Sequence, residues 1–172
     1  MRTSGIHTLM AAPYGSSMDL SGSIALVAGD LTKIRLEMDT HFYGTLAMVR
    51  AFAPVLAGNG GAVLNVLSRL SWLSYLGANA YSAAKAAEWS LTNGIRLELR
   101  EQGILVTGLV LSSTDTDMMA GWDIPKNDPA DVVRAALDGL EAGRFEILAD
   151  RDSAEAKAAL SADPGVLYAQ TG

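Results

Sequence analysis

Ala62-Val63-Leu64-Asn65-Val66-Leu67-Ser68 is followed, thirteen residues beyond its serine, by Tyr81-Ser82-Ala83-Ala84-Lys85. The first stretch is a short apolar run over Ala62–Leu67 and reads as a buried strand with a serine just past its end. The second opens a helix over Ala80–Gln102, stopped by Gly103, on which Tyr81 and Lys85 share a face one turn apart. Downstream, Ile104–Leu111 is a second, nearly all-apolar strand. Asp128-Pro129 signals a helix start, with aspartate as cap and proline in the first turn, and that helix runs to about Ala142. Phe145–Leu148 is a third strand, and Ser153–Leu160 a last short helix. Upstream, Ile34, Met38, Phe42, Leu46, Val49 and Phe52 recur at three- and four-residue spacing. They predict one long amphipathic helix, capped by Asp30 or Thr32 and stopped at Gly58-Asn59-Gly60-Gly61. Apolar strands alternating with helices predict an α/β chain built on a parallel sheet with helices on both faces. Ser23–Ala28 is a further apolar run, strand or buried helical turn, and residues 1–22 read as loop.

The composition bounds the function. The 172 residues suffice for one domain with its own core. An apolar share of 49% with 19% charged residues reads as globular. The net charge of −6 comes without a Lys/Arg cluster and argues against nucleic acid. The sequence has no cysteine, and His7 and His41 lack ligand spacing, so neither disulfides nor a zinc site is expected. No stretch approaches the ~18 apolar residues of a membrane span, and Pro13, Gly15, Ser16 and Ser17 interrupt any leader-like apolar run. A cytoplasmic location is expected.

Tyr81 and Lys85 suit proton transfer at a carbonyl or alcohol oxygen. A nearby ammonium favours the phenolate form of a tyrosine, and the phenol can then exchange a proton with that oxygen. A serine hydroxyl beside them can hold the same oxygen. A lone Tyr-x-x-x-Lys on a helix is more often a plain surface pair; the serine at a strand end and the small residues Ser82-Ala83-Ala84 and Ala86-Ala87 set this one apart.

Asn65–Ser68 with Tyr81–Ala87 resembles the active-site signature of the short-chain dehydrogenase/reductase family, and the likeness runs from about Leu31 to Asp150. The resemblance implies a Rossmann-like doubly wound sheet and NAD- or NADP-dependent hydride transfer between a small carbonyl or alcohol substrate and the cofactor. It implies Tyr81 as acid/base, Lys85 as its electrostatic partner and a ligand of the nicotinamide ribose, and Ser68 as holder of the substrate oxygen. Thr116, in Asp115-Thr116-Asp117-Met118, matches the family's cofactor-contacting threonine. Met118 and Trp122 fall in the variable segment over the substrate, or are ordinary packing. The family also implies a homodimer or homotetramer built on the helices at about 32–57 and 80–102.

The sequence departs from that pattern in four places. The family's Gly-x-x-x-Gly-x-Gly turn is absent, and Gly58-Asn59-Gly60-Gly61 follows a helix instead of opening one. The expectation is therefore a partial Rossmann-like sheet whose first nucleotide-binding half is missing, beginning near Arg2-Thr3-Ser4-Gly5, with Thr3 in place of an asparagine. The strand Ala62–Leu67 would then be an exposed edge unless Ser23–Ala28 or a second copy pairs with it. His41 stands where the family has an asparagine that supports a proton relay to the lysine. Leu111-Ser112 replaces a Pro-Gly, so a serine side chain faces the cofactor where glycine would let the backbone approach.

On this reading the chain is a single domain over 1–172, with an irregular segment at 1–30, the catalytic portion at 31–150 and a tail at 151–172. Two other functions fit the same residues. One is cofactor-independent acid/base catalysis (isomerase, dehydratase or cyclase) by Ser68, Tyr81 and Lys85; the other is a non-catalytic docking partner or fragment.

Overall fold

The computed structural model of the chain describes residues 8–11 and 25–168. Four strands lie side by side in chain order, every neighbouring pair parallel: β1 (Thr8–Ala11), β2 (Ala62–Ser68), β3 (Leu105–Leu111) and β4 (Glu146–Leu148). Parallel pairing requires crossovers, and helices supply them. Between β1 and β2 run α1 (Leu31–Met38) and α2 (Gly44–Asn59), joined by a π-helical turn at Asp39–Tyr43. Helix α3 (Asn79–Leu99) links β2 to β3, and α4 (Pro129–Glu141) links β3 to β4. Then come α5 (Arg151–Ala159) and α6 (Pro164–Leu167).

The helix ends follow local chemistry. Asp30 accepts the N–H of Thr32 at 2.8 Å and Asp128 that of Ala130 at 2.8 Å, each satisfying a donor that the first turn leaves open. Gly60 and Gly103 close α2 and the end of α3 at φ +66° and +70°, where a side chain would be strained.

Alternation along β2 and β3 divides the core between the two faces. Val63 and Val106 pack with Val49, Leu56, Ile95 and Leu99 under α2 and α3. Leu64 and Leu109 pack with Val132, Ala136, Leu140 and Ile147 under α4. A third cluster joins Leu67, Val110 and Trp72 to Ala156, through which α5 packs on the sheet. Arg96 ties α3 to the sheet, donating to the carbonyls of Val106 at 2.9 Å and Phe145 at 2.8 Å.

Several expectations are corrected. β2 is not an exposed edge: Thr8 pairs with Ala62 and Ala11 with Asn65, so part of the segment read as loop is a strand. A four-residue strand is too short for periodicity to reveal. Leu26–Ala28 form a turn, with Val27 fully exposed, so the apolar run there is neither strand nor buried helix. The placement of the family's N-terminal motif at Arg2–Gly5, including Thr3, lies outside the described residues, as do Ser23 and Ile24. The helix read as continuous from 32 to 57 runs through without a break, with one π turn inside it.

Candidate active site

Ser68 ends β2 at the carboxyl edge of the sheet, where open parallel sheets carry their ligands. A single 3₁₀ turn, Arg69–Ser71, leads the chain away, and the Ser68 hydroxyl accepts the N–H of Leu70 at 3.1 Å. After this turn the loop delivers α3, whose first turn carries Tyr81 and whose second carries Lys85. The Lys85 ammonium is 5.9 Å from the centre of the Tyr81 ring, so the expected pair is adjacent on one face.

Lys85 is 3% exposed and heavily engaged. Its ammonium donates to the carbonyl of Val66 at 2.9 Å and to Glu88 Oε2 at 2.7 Å. An ammonium has three N–H donors, so one is left for a ligand. Glu88 is fully buried, and its other oxygen accepts from the Thr45 hydroxyl at 3.0 Å. His41, from the π turn, sets its ring edge-on to Tyr81 with centroids 5.2 Å apart. Its Nδ1 lies 3.8 Å from Glu88 Oε2, and its Nε2 lies 3.4 Å from Glu37 Oε2. His41 thus lies against Tyr81, Glu88 and Glu37.

Sequence reasoning missed Glu37 and Glu88. Both had a signal. Glu88 lies three residues after Lys85 on the same helical face. Glu37, His41, Thr45 and Val49 recur every four residues, and this largely polar stripe is buried, whereas Ile34, Met38, Phe42 and Leu46 are half-buried and Phe52 is exposed.

Ser112 and Thr116 sit on the neighbouring loop. Ser68 is in register with Leu111, so Ser112 lies one residue beyond the serine's own level of the sheet. The Ser112 N–H donates to Asp150 Oδ2 at 2.8 Å, and Asn127 Nδ2 reaches both Ser112 Oγ at 3.1 Å and Asp150 Oδ2 at 2.9 Å. Asp150 also caps α5 through the Ser153 N–H at 2.8 Å. Burial alone would push the Asp150 carboxyl up, but the N–H groups of Ser112 and Ser153 outweigh it and hold the carboxyl below its usual range. Thr116 precedes a short 3₁₀ turn at Asp117–Met119 and is exposed. Met118 and Trp122 are half-exposed beyond it and take no part in the core. Among the described residues no helix is long and apolar enough to cross a membrane.

A sequence model described as short chain dehydrogenase matches residues 22–126. An uncharacterized oxidoreductase of Staphylococcus saprophyticus is 31% identical over 130 residues, 73% of this chain and 56% of that protein. The NADPH-dependent 1-acyldihydroxyacetone phosphate reductase of Schizosaccharomyces pombe is 32% identical over 91 residues, 53% of this chain and 31% of that protein. The chain thus spans little more than half the length of the one and a third of the other. The crystal structure of a short chain dehydrogenase from Burkholderia cenocepacia, in complex with NADP, superposes with a TM-score of 0.85 at 33% identity, covering 98% of this chain and 72% of that one.

Proposed function

The chain belongs to the short-chain dehydrogenase family, and from that premise we propose that it serves an NAD(P)-dependent oxidoreductase acting on a small carbonyl or alcohol. The observation that carries the proposal is the pairing of Tyr81 and Lys85 on one face of α3, with Lys85 bonded to the Val66 carbonyl two residues before Ser68 on β2.

The residues present suit the nicotinamide end of such a cofactor. Lys85 has one N–H beyond those given to Val66 and Glu88, which can donate to a ribose hydroxyl. Thr116 and Ser112 lie on the loop beyond β3, at the same edge of the sheet, where the family's cofactor contacts would fall. The sequence holds no Gly-x-x-x-Gly-x-Gly turn for the pyrophosphate. NADP(H) is the form to test first, since the Burkholderia relative was solved with NADP and the Schizosaccharomyces relative is NADPH-dependent.

The bound nicotinamide would supply or receive the hydride. The chain handles the proton. Ser68 would donate its hydroxyl hydrogen to the substrate oxygen, holding it where charge develops during reduction. Tyr81 would pass its phenolic proton to that oxygen, and take it back in the oxidative direction. Lys85, fixed by Val66 and Glu88, would favour the phenolate that results.

We further propose a homodimer or homotetramer using the outer faces of α1–α2 and α3, where Met48, Phe52, Val55 and Leu97 are exposed. The proposed location is the cytoplasm, on family resemblance alone. The test of function is NADPH oxidation over a panel of small ketones and aldehydes. Tyr81→Phe is expected to lower turnover by about 10²–10⁴-fold; unchanged turnover in that variant would reject the assigned role.

A further inference from the structure

Helix α5 touches two loops that rise from the carboxyl edge of the sheet. One follows β3 and carries Ser112 and Thr116. Asp150, the N-cap of α5, accepts three N–H groups from three places. Its Oδ2 takes the Ser112 N–H at 2.8 Å and the Asn127 amide at 2.9 Å, and its Oδ1 takes the Ser153 N–H at 2.8 Å. Asn127 then closes the loop on itself. Its amide also reaches Ser112 Oγ at 3.1 Å, its N–H donates to the Ser113 carbonyl at 2.8 Å, and its carbonyl accepts the Asp115 N–H at 3.0 Å. Residues 116–126 are mostly exposed, so this loop is held at its base.

The other is the turn after β2. The Leu70 N–H fixes the Ser68 hydroxyl at 3.1 Å, and the Trp72 N–H closes the turn on the Arg69 carbonyl at 3.1 Å. Trp72 anchors the turn to α5. It is buried, packs with Ala156, and has the Lys157 ammonium 4.8 Å from the centre of its ring, close enough for the ring face to attract the cation. Asp152 adds an ion pair with Arg69 at 3.0 Å, but both side chains reach solvent and such a pair contributes little.

The chemistry at position 150 is selective. A helix start needs one acceptor, and serine or asparagine supplies it about as well as aspartate. Here both carboxylate oxygens are used, and the second faces two donors from outside the helix. Only an ionised carboxylate accepts at both oxygens. The loop, not the helix, is what requires a carboxylate at this position. We propose that α5 is the shared anchor of the two walls of the cleft, with Asp150 the positioning residue that locks the loop of Ser112 and Thr116 to the helix on which the turn of Ser68 already rests. The hydroxyl that would hold the substrate oxygen and the loop that would face the nicotinamide are then set against each other by one rigid element. This rests on the reading of the cleft as a nicotinamide site, but the first readout needs no ligand.

The test is amide hydrogen exchange, followed by NMR, in the unmodified chain and in Asp150→Ser. Serine keeps a cap for α5 but is too short to hold Ser112 as well. A hydrogen bond to a charged group slows the opening of its donor by about 10–100-fold. The expected result is that the Ser112 amide exchanges faster by about that factor in the variant, while the Ser153 amide keeps its protection. Unchanged exchange at Ser112 would overturn the proposal. Equal acceleration at Ser112 and Ser153 would overturn it too, since a failed cap would then account for the whole effect. Asp150→Asn, nearly isosteric and also a good cap, should give the same split and decides the matter if Asp150→Ser does not fold. NADPH titrated into the same samples gives a second readout: both variants should weaken its binding about tenfold, which loss of a cap alone would not do. The exchange split in a chain that binds no NADPH would keep the anchor and remove the cofactor reading. NADPH binding that neither variant weakens would keep the cofactor reading and overturn the positioning role.

Discussion

Glu88 holds the ammonium of Lys85 at 2.7 Å, three residues along α3, in a pair that solvent does not reach. Breaking such a pair leaves a charge in a medium that cannot solvate it. Glu88→Ala should therefore destabilise the chain by about 3–5 kcal/mol. Replacing both partners by apolar residues of similar size, Lys85→Met with Glu88→Leu, should recover most of that loss. Urea unfolding of the single and double variants measures both. Equal losses in the two would show that the pair is not the source of the effect.

Asp150 gives a pH dependence whose sign can be worked out. Its carboxyl is held below the usual range in the folded chain, so it binds its proton more weakly folded than unfolded. The stability it contributes is fully present above the unfolded value of about 4 and is lost as pH falls below it. Thermal melts of the chain should fall more steeply between about pH 4 and pH 2 than those of Asp150→Ala. At neutral pH that variant should melt lower by about 2–4 °C, having lost the cap of α5 and an acceptor for Ser112.

Gly139 tests the packing of α4 on β4. A methyl group there would clash with Ile147 Cδ1 and Cγ1. Helix propensity alone predicts that Gly139→Ala gains up to about 1 kcal/mol. The contact predicts a net loss of about 1–3 kcal/mol instead. Combined with Ile147→Ala, the substitution should cost much less than the sum of the two single changes. Chemical denaturation of the three variants checks sign and coupling together.

Much of the fold was legible because its signals are local. β2, β3 and β4 are apolar runs bounded by glycine or a cap, and Asp128-Pro129 marked α4 within one residue. The same dipeptide signal at Asp163-Pro164 starts α6 and was passed over. β1 was not legible, because four residues beside a long apolar strand carry no period of their own. The apolar spacing from Ile34 to Phe52 was read correctly as helix, yet it misplaced the buried face. That spacing averages the regular helical period, whereas the buried positions recur strictly in fours, and the π turn takes up the difference. The result is a buried stripe of Glu37, His41, Thr45 and Val49. The pattern Tyr81-x-x-x-Lys85 marked the pair on α3, but what Lys85 touches was set by Glu88, a helical neighbour, and by the Val66 carbonyl on β2. The hold of Asp150 on Ser112 spans 38 residues and had no sequence signal.

The most direct test of the central claim is isothermal titration of the 172-residue chain with NADPH and NADH, alongside Lys85→Ala. The account predicts saturable binding of at least one of them, weakened at least about tenfold, or 1.4 kcal/mol, by loss of the Lys85 donor. Binding that Lys85→Ala leaves unchanged, or no binding of either dinucleotide up to millimolar concentration, would contradict it.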